Sequence, residues 1–158
     1  MRVAVTCDHG GYALKRVVGE ALRASGAEVT DLGTDTDASV DYPDYAFRAL
    51  DLLRKGECDR IVLICGTGIG MSICANRIPG VRAALCHDAF TARMSRLHND
   101  ANCLVLGGRV TGPGVASDIV DVWMKTPFEA GRHAARLARI EELTARMNES
   151  GKGRGDRS

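Results

Sequence analysis

Arg60-Ile-Val-Leu-Ile-Cys65, running straight into Gly66-Thr-Gly-Ile-Gly70, decides the fold. An unbroken apolar run of this length suits a parallel strand covered by helices on both faces, because neither side of it tolerates water. The glycines form a tight loop, and a helix is expected from there to about Arg77. Closely spaced glycines ahead of a helix let successive backbone N–H groups face a phosphate or an oxyanion. The stretch is not a dinucleotide fingerprint, since it reads Gly-x-Gly-x-Gly far from the chain start, and it lacks the Gly-Lys-Ser/Thr ending of a triphosphate loop. A plain tight turn that needs small residues stays open as the alternative.

Working outward, hydrophobic runs alternate with helical patterns. Arg2 to Cys7 reads as a short buried strand, and Leu14, Val17, Val18, Ala21 and Leu22 line a helix ending near Gly26. Glu28 to Leu32 is a second strand, and Tyr42 to Lys55 a helix opened by Pro43, which suits a first turn. Beyond the central stretch, Val81 to Cys86 and Asn102 to Leu106 read as strands. Phe90, Met94 and Leu97 mark a helix before His98, and Val115, Ile119, Val122 and Trp123 mark another, closed before Pro127. A last helix from about Arg132 to Met147 carries Leu137, Ile140, Leu143 and Met147 on one stripe, which is either ordinary packing or a contact with a second subunit. The alternation predicts a Rossmann-like three-layer α/β/α sandwich around a mostly parallel five-stranded sheet. It spans a single domain of residues 1–148, and the polar, glycine-rich residues 149–158 are expected to be a disordered tail.

Composition narrows the function. The 158 residues carry 21 Lys+Arg against 20 Asp+Glu, so no global field recruits nucleic acid or an anionic membrane. No apolar run approaches the ~20 residues needed to cross a bilayer, and no targeting segment is evident, so a cytoplasmic location is expected. The six cysteines contain no Cys-x-x-Cys pair and read mostly as small buried hydrophobes, which argues against a structural zinc site.

In a sheet of this kind ligands sit beyond the carboxyl ends of the strands. That rule selects Cys7 to Gly11, Cys65 to Gly70, Cys86 to Asp88 and Gly107 to Arg109. Cys65 ends a strand beside a helix start, where a thiolate is stabilised, and Thr67 could donate to it or orient it. As a bare strand-ending cysteine it could equally be a packing residue. Asp8 and His9 are adjacent and point apart, so they would serve different parts of one ligand. His98, followed by Asn99, offers acid–base chemistry near neutrality or else a helix cap. Arg132 and Arg136 lie one turn apart and suit a terminal phosphate, with a solvated charged face as the plain reading and Arg109 as a third cation.

Six ordered landmarks give these residues a context: Cys7-Asp-His-Gly-Gly-Tyr-Ala-Leu-Lys15, Asp41-Tyr-Pro-Asp-Tyr-Ala46, Ile64-Cys-Gly-Thr-Gly-Ile-Gly-Met71, Ala75-Asn-Arg77, Ser95-Arg-Leu-His-Asn-Asp-Ala-Asn102 and Gly131-Arg-His133. Over about residues 1 to 148 the chain resembles the type B ribose-5-phosphate isomerases, a family that also includes galactose-6-phosphate and allose-6-phosphate isomerases. The resemblance implies an aldose–ketose isomerase that uses no metal or organic cofactor, with active sites at a homodimer interface and a tetramer left open. It implies Cys65 as the base between C2 and C1, supported by Thr67, and His98 of the neighbouring subunit as the ring opener. Asp8 and Tyr42 would lie at the sugar and His9, Arg132 and Arg136 at the phosphate, with Asn99 and Arg109 completing the wall between subunits. The backbone of Gly66, Gly68 and Gly70 would face the enediolate. One branch of the family has a glutamate base where this chain has Met71, and retention of Cys65 fits the cysteine branch. Ribose 5-phosphate is the expected substrate, a hexose 6-phosphate the first alternative, and a non-catalytic phosphate- or nucleotide-binding module the rival of another class.

Overall fold

The computed structural model describes residues 1–152. Five strands, β1 (Arg2–Cys7), β2 (Glu28–Asp31), β3 (Arg60–Cys65), β4 (Ala83–Leu85) and β5 (Cys103–Gly107), form one sheet in the order β2-β1-β3-β5-β4. Every pairing is parallel. The helices are α1 (Tyr12–Ala24), α2 (Tyr42–Lys55), α3 (Ile69–Ala75), α4 (Ala89–Asn99), α5 (Pro113–Lys125) and α6 (Arg132–Lys152). The helix α6 passes residue 149, where the polar tail was expected to begin, and residues 153–158 of that segment lie outside the described residues.

Strand alternation sorts the core into two layers. Val62, Ile64, Leu104 and Leu106 join Leu14, Val18, Leu22, Ile119 and Trp123 beneath α1 and α5. Ile61, Leu63, Cys65 and Val105 pack instead with Ala46, Leu50 and Met71 beneath α2 and α3. Both faces of β3 are therefore covered, which is the physical reason its sequence is apolar without interruption.

The sheet order places a topological switch between β1 and β3, because the chain leaves β1 toward one edge of the sheet and later builds toward the other. The loops after these strands diverge and leave a crevice at their carboxyl ends. Lys15 steadies its rim: the ammonium, buried in α1, donates to the Thr34 carbonyl at 2.9 Å and pairs with Asp31 at 3.0 Å.

The helix expected from the Phe90, Met94 and Leu97 spacing is α4. Phe90 is 69% exposed, whereas α4 buries Ala92, Ser95 and Arg96. Arg96 is accommodated because Nη1 donates to Asp100 and to the Ala101 carbonyl, each at 2.8 Å, and Nε donates to the Thr126 carbonyl. A buried charge with its donors satisfied replaces the apolar stripe that Phe90, Met94 and Leu97 suggested.

Candidate active site

The expected site residues fall into two groups at opposite ends of the sheet. At the carboxyl end, three strand loops meet through backbone. A Cβ on Gly10 would stand 2.7 Å from the Gly66 nitrogen, and one on Gly108 would stand 2.4 Å from the Gly10 carbonyl oxygen. Only glycine permits the loops after β1, β3 and β5 to touch in this way.

Cys65 lies in this junction, 5% exposed, and its Sγ receives the Gly68 N–H at 3.2 Å. Gly68 has φ +80°, a left-handed conformation that turns this N–H back onto the sulphur. Thr67 accepts the Ile69 N–H on Oγ1 at 3.4 Å, and its O–H is still able to donate. With those two N–H groups engaged, Gly70 and Met71 supply the other first-turn N–H groups of α3, which have no intrahelical acceptor. A Cβ on Gly70 would stand 2.7 Å from the Tyr42 ring, so the missing side chain admits that tyrosine to the crevice.

Asp8 is 6% exposed, and its Oδ1 accepts from the N–H groups of Gly10 and Gly11 at 2.8 and 3.1 Å, leaving Oδ2 outside this turn. His9 accepts the Val40 N–H on Nδ1 at 3.2 Å. In the neutral ring that contact puts the proton on Nε2, which becomes a donor. Arg109 donates its backbone N–H to Gly66, and its side chain lies 3.6 Å from the position of a Gly66 Cβ. It therefore belongs to the Cys65 end, remote from Asn99.

The second group sits at the amino end. A helix that follows a parallel strand returns to the opposite edge, so α4 carries His98 and Asn99 away from the crevice and α5 delivers the chain there for Arg132 and Arg136. Between the Ile61–Cys103 and Cys65–Gly107 pairings, β3 alone spans roughly 13 Å at a parallel-strand rise of about 3.3 Å per residue. His98 stacks on His133 with ring centroids 4.2 Å apart, and Glu129 lies 3.6 Å from His133 Nε2 and 4.0 Å from His98 Nε2. Farther along α6, Arg139 pairs with Glu142 at 2.6 Å, but neither Arg132 nor Arg136 has a carboxylate partner among the described residues. Two guanidinium groups one turn apart without carboxylate partners have the charge and spacing to receive an anion.

Glu129 and His133 join this group, and the sequence signals them only through the landmark Gly131-Arg-His133. Their ligand atoms and that of His98 lie within 4.8 Å of one another. The two rings are within 10° of parallel, however, so one ion at ~2.1 Å from both nitrogens would lie outside both ring planes, a poor fit for a metal.

Cysteine chemistry concentrates on Cys65 by geometry. Burial pushes the Cys7 and Cys86 thiols up to about 11 and also raises Cys58, Cys74 and Cys103, so these five stay protonated near neutrality. His87, beside the Asp88 cap of α4, is exposed and belongs to neither group.

The profile of the family described as Ribose/Galactose Isomerase matches residues 3–140. The chain belongs to that family. It is 48% identical over 143 residues to the putative sugar phosphate isomerase YwlF of Bacillus subtilis, covering 90% of this chain and 96% of the relative. Ribose-5-phosphate isomerase B of Escherichia coli is 42% identical over 147 residues, 93% of this chain and 99% of that protein. The solved ribose-5-phosphate isomerase B of Clostridium thermocellum superposes with a TM-score of 0.89 at 50% identity, covering 93% of this chain and 99% of the other. A further relative, 38% identical over 89% of this chain and 93% of its own length, is named D-erythrulose-4-phosphate isomerase in Pectobacterium atrosepticum, so substrate length varies among relatives. The protein is a sugar-phosphate isomerase of this family. Among the described residues, no helix is long and apolar enough to cross a membrane.

Proposed function

We propose that the protein interconverts D-ribose 5-phosphate and D-ribulose 5-phosphate through a cis-enediolate, at sites formed between two copies of the chain. One observation carries this reading: the chemistry-bearing residues form two incomplete halves at opposite ends of one sheet. The carboxyl end has a carbon base without a phosphate clamp, and the amino end has a clamp without a base. A two-fold pair in which the amino end of one subunit meets the carboxyl end of the other completes both sites at once. Exposed apolar side chains support a paired surface, with Ile69 and Ile73 on α3 more than half exposed and Ile140 and Leu143 on α6 exposed as well. Beside α6 lies a cleft of about 570 Å³ lined by Ile78, Val81, Leu137, Ile140 and Thr144, apart from the Cys65 crevice.

In the composite site the sugar phosphate is gripped at its anionic end by Arg132 and Arg136 of the partner subunit and by His9 Nε2. His98 of the partner subunit protonates the ring oxygen as the bond from C1 to that oxygen breaks, and the electron pair goes to the oxygen. The C1 hydroxyl proton passes to Asp8 Oδ2 as the aldehyde forms. The Cys65 thiolate then removes the C2 proton, made acidic by the aldehyde, and the negative charge settles on oxygen. The Gly68 N–H that donates to Sγ holds the sulphur in place at the crevice for this transfer. The N–H groups of Gly70 and Met71 are the donors for the enediolate, and one preorganised donor of this kind contributes about 3 kcal/mol. The C2 hydroxyl proton moves to O1, which shifts the negative charge to O2, and return of the carbon proton from the Cys65 thiol to C1 then closes the C2 carbonyl and gives the ketose.

The test is the initial rate on ribose 5-phosphate and allose 6-phosphate side by side, with chelator and no added cofactor. Faster pentose turnover is expected; faster hexose turnover renames the substrate and keeps the mechanism, and turnover of neither overturns the reading.

A further inference from the structure

The amino end contains more machinery than a ring-opening histidine needs by itself. Three segments converge there. The Glu129 N–H donates to the Leu97 carbonyl at 3.0 Å, which ties the connection before α6 to the residue preceding His98. Ala130 and Gly131 then adopt φ +59° and +54°, consecutive left-handed residues that fold the chain back so that the His133 N–H donates to the Ala130 carbonyl at 3.0 Å. A non-glycine residue held there is strained, and strain of this kind persists where the surroundings impose it.

The turn lays the His133 ring flat on the His98 ring and brings one carboxylate oxygen, Glu129 Oε2, to the Nε2 atoms of both. The two imidazoles are unequal. The His133 side chain is 5% exposed and its buried Nε2 has no hydrogen-bond partner, whereas the His98 side chain is 38% exposed and open to a ligand.

We propose that Glu129 and His133 are positioning residues for ring opening: the His133 ring fixes the plane of His98, and Glu129 holds a proton on His98 for delivery to the sugar ring oxygen. Stacked imidazoles cannot both carry charge cheaply. Burial and next the facing His98 lower the proton affinity of His133, Arg132 and Arg136 lower it further, and Glu129 opposes them. His98 is the more exposed ring and the one that faces substrate, and its Nε2 lies 4.0 Å from the same carboxylate oxygen. This inference rests on the ring-opening role of His98 given above.

The test separates ring chemistry from carbon chemistry. Turnover of D-ribose 5-phosphate requires the furanose to open. Uptake of deuterium at C1 of D-ribulose 5-phosphate in heavy water does not, since that ketose is open-chain with its terminal oxygen phosphorylated. D-erythrose 4-phosphate, likewise barred from closing a furanose because its O4 carries phosphate, serves as a second open-chain probe. Glu129→Gln, at a half-exposed position that should leave folding intact, is expected to lower pentose kcat by about tenfold or more. Its KM and the rates on both open-chain probes should stay near wild type, and Glu129→Asp should recover part of the loss. His133→Ala is expected to lose as Glu129→Gln does, and His133→Phe, which restores a ring to the stack, to retain more pentose turnover than His133→Ala.

Equal losses on closed and open substrates, or unchanged pentose turnover in Glu129→Gln, would overturn the proposal. His98→Ala is the control. If it too loses equally on both kinds of substrate, the ring-opening role of His98 fails; if it discriminates and Glu129→Gln does not, the positioning inference alone fails.

Discussion

The two ends of the sheet are built from different materials. At the carboxyl end the frame is backbone: a Cβ on Gly10 or Gly108 would collide with the backbone of a neighbouring loop, and one on Gly70 with the Tyr42 ring. At the amino end it is side chain: two stacked histidines, a glutamate and two unneutralised arginines displayed on helix surfaces. The contrast follows from the tasks. Charge that develops on a reacting oxygen needs donors that do not move as it appears, and main-chain N–H groups supply them. A dianionic phosphate gains most from full positive charges, which guanidinium groups supply and backbone N–H groups, with their partial charges, do not.

The sharpest break between the ends is Cys65→Ala. It should lower isomerisation by about a thousandfold or more, as loss of a general base does, and leave affinity for the sugar phosphate nearly unchanged. Surviving turnover would return Cys65 to the core as a packing residue.

Next in size is a test that joins the two ends. Cys65→Ala and His98→Ala chains, each impaired alone, should regain activity when co-expressed in one cell. About half of randomly paired dimers are mixed, and each mixed dimer holds one intact site, so about one quarter of wild-type activity is expected. If the ends served a site within one chain, no activity would return.

At the amino end, Arg132→Ala and Arg136→Ala should each raise KM roughly 10- to 100-fold with a smaller change in kcat, since a hydrogen bond to a charged group contributes about 1.5–3 kcal/mol. An unchanged KM in steady-state assays would make this pair a solvated helix face. At the carboxyl end the matching perturbation acts on stability. Gly10→Ala drives a methyl against Gly66 backbone and should cost about 1–3 kcal/mol in denaturant titration. Gly114→Ala, in open space in the first turn of α5, should be neutral or stabilising by up to about 1 kcal/mol. Equal effects of the two would mean the loop junction yields easily.

The ends also differed in how far the sequence disclosed them. The β3 run and its glycine loop were legible because a strand covered on both faces and a close backbone approach each restrict residue type directly. The position of His98 opposite Cys65 follows from strand–helix alternation, since α4 must return before β5 begins. Two features were not legible. The buried face of α4 could not be read from residue type, because Phe90 is 69% exposed while Arg96 is buried by virtue of acceptors on Asp100, Ala101 and Thr126. The approach of Glu129 to His133 depends on a left-handed Ala130, a conformation alanine does not advertise.

The smallest predicted effect lies in that illegible corner and concerns pH. The proton affinity of folded His133 is held below its ordinary value of 6.5 by burial, and next by the facing His98; Glu129 opposes this, and Arg132 and Arg136 reinforce it. The unfolded chain then binds the proton more readily than the folded one, so stability contributed by the neutral ring is present above pH 6.5 and is lost as pH falls toward and below the lowered folded value. Denaturant midpoints of the wild type should therefore drop between pH 7.5 and 5.5 more steeply than those of His133→Phe, and parallel slopes would show that the ring does not titrate with folding. Bound phosphate sharpens the expectation: the anion that Arg132 and Arg136 collect also lowers the cost of charging His133, so ligand should flatten the wild-type slope and leave that of His133→Phe unaltered.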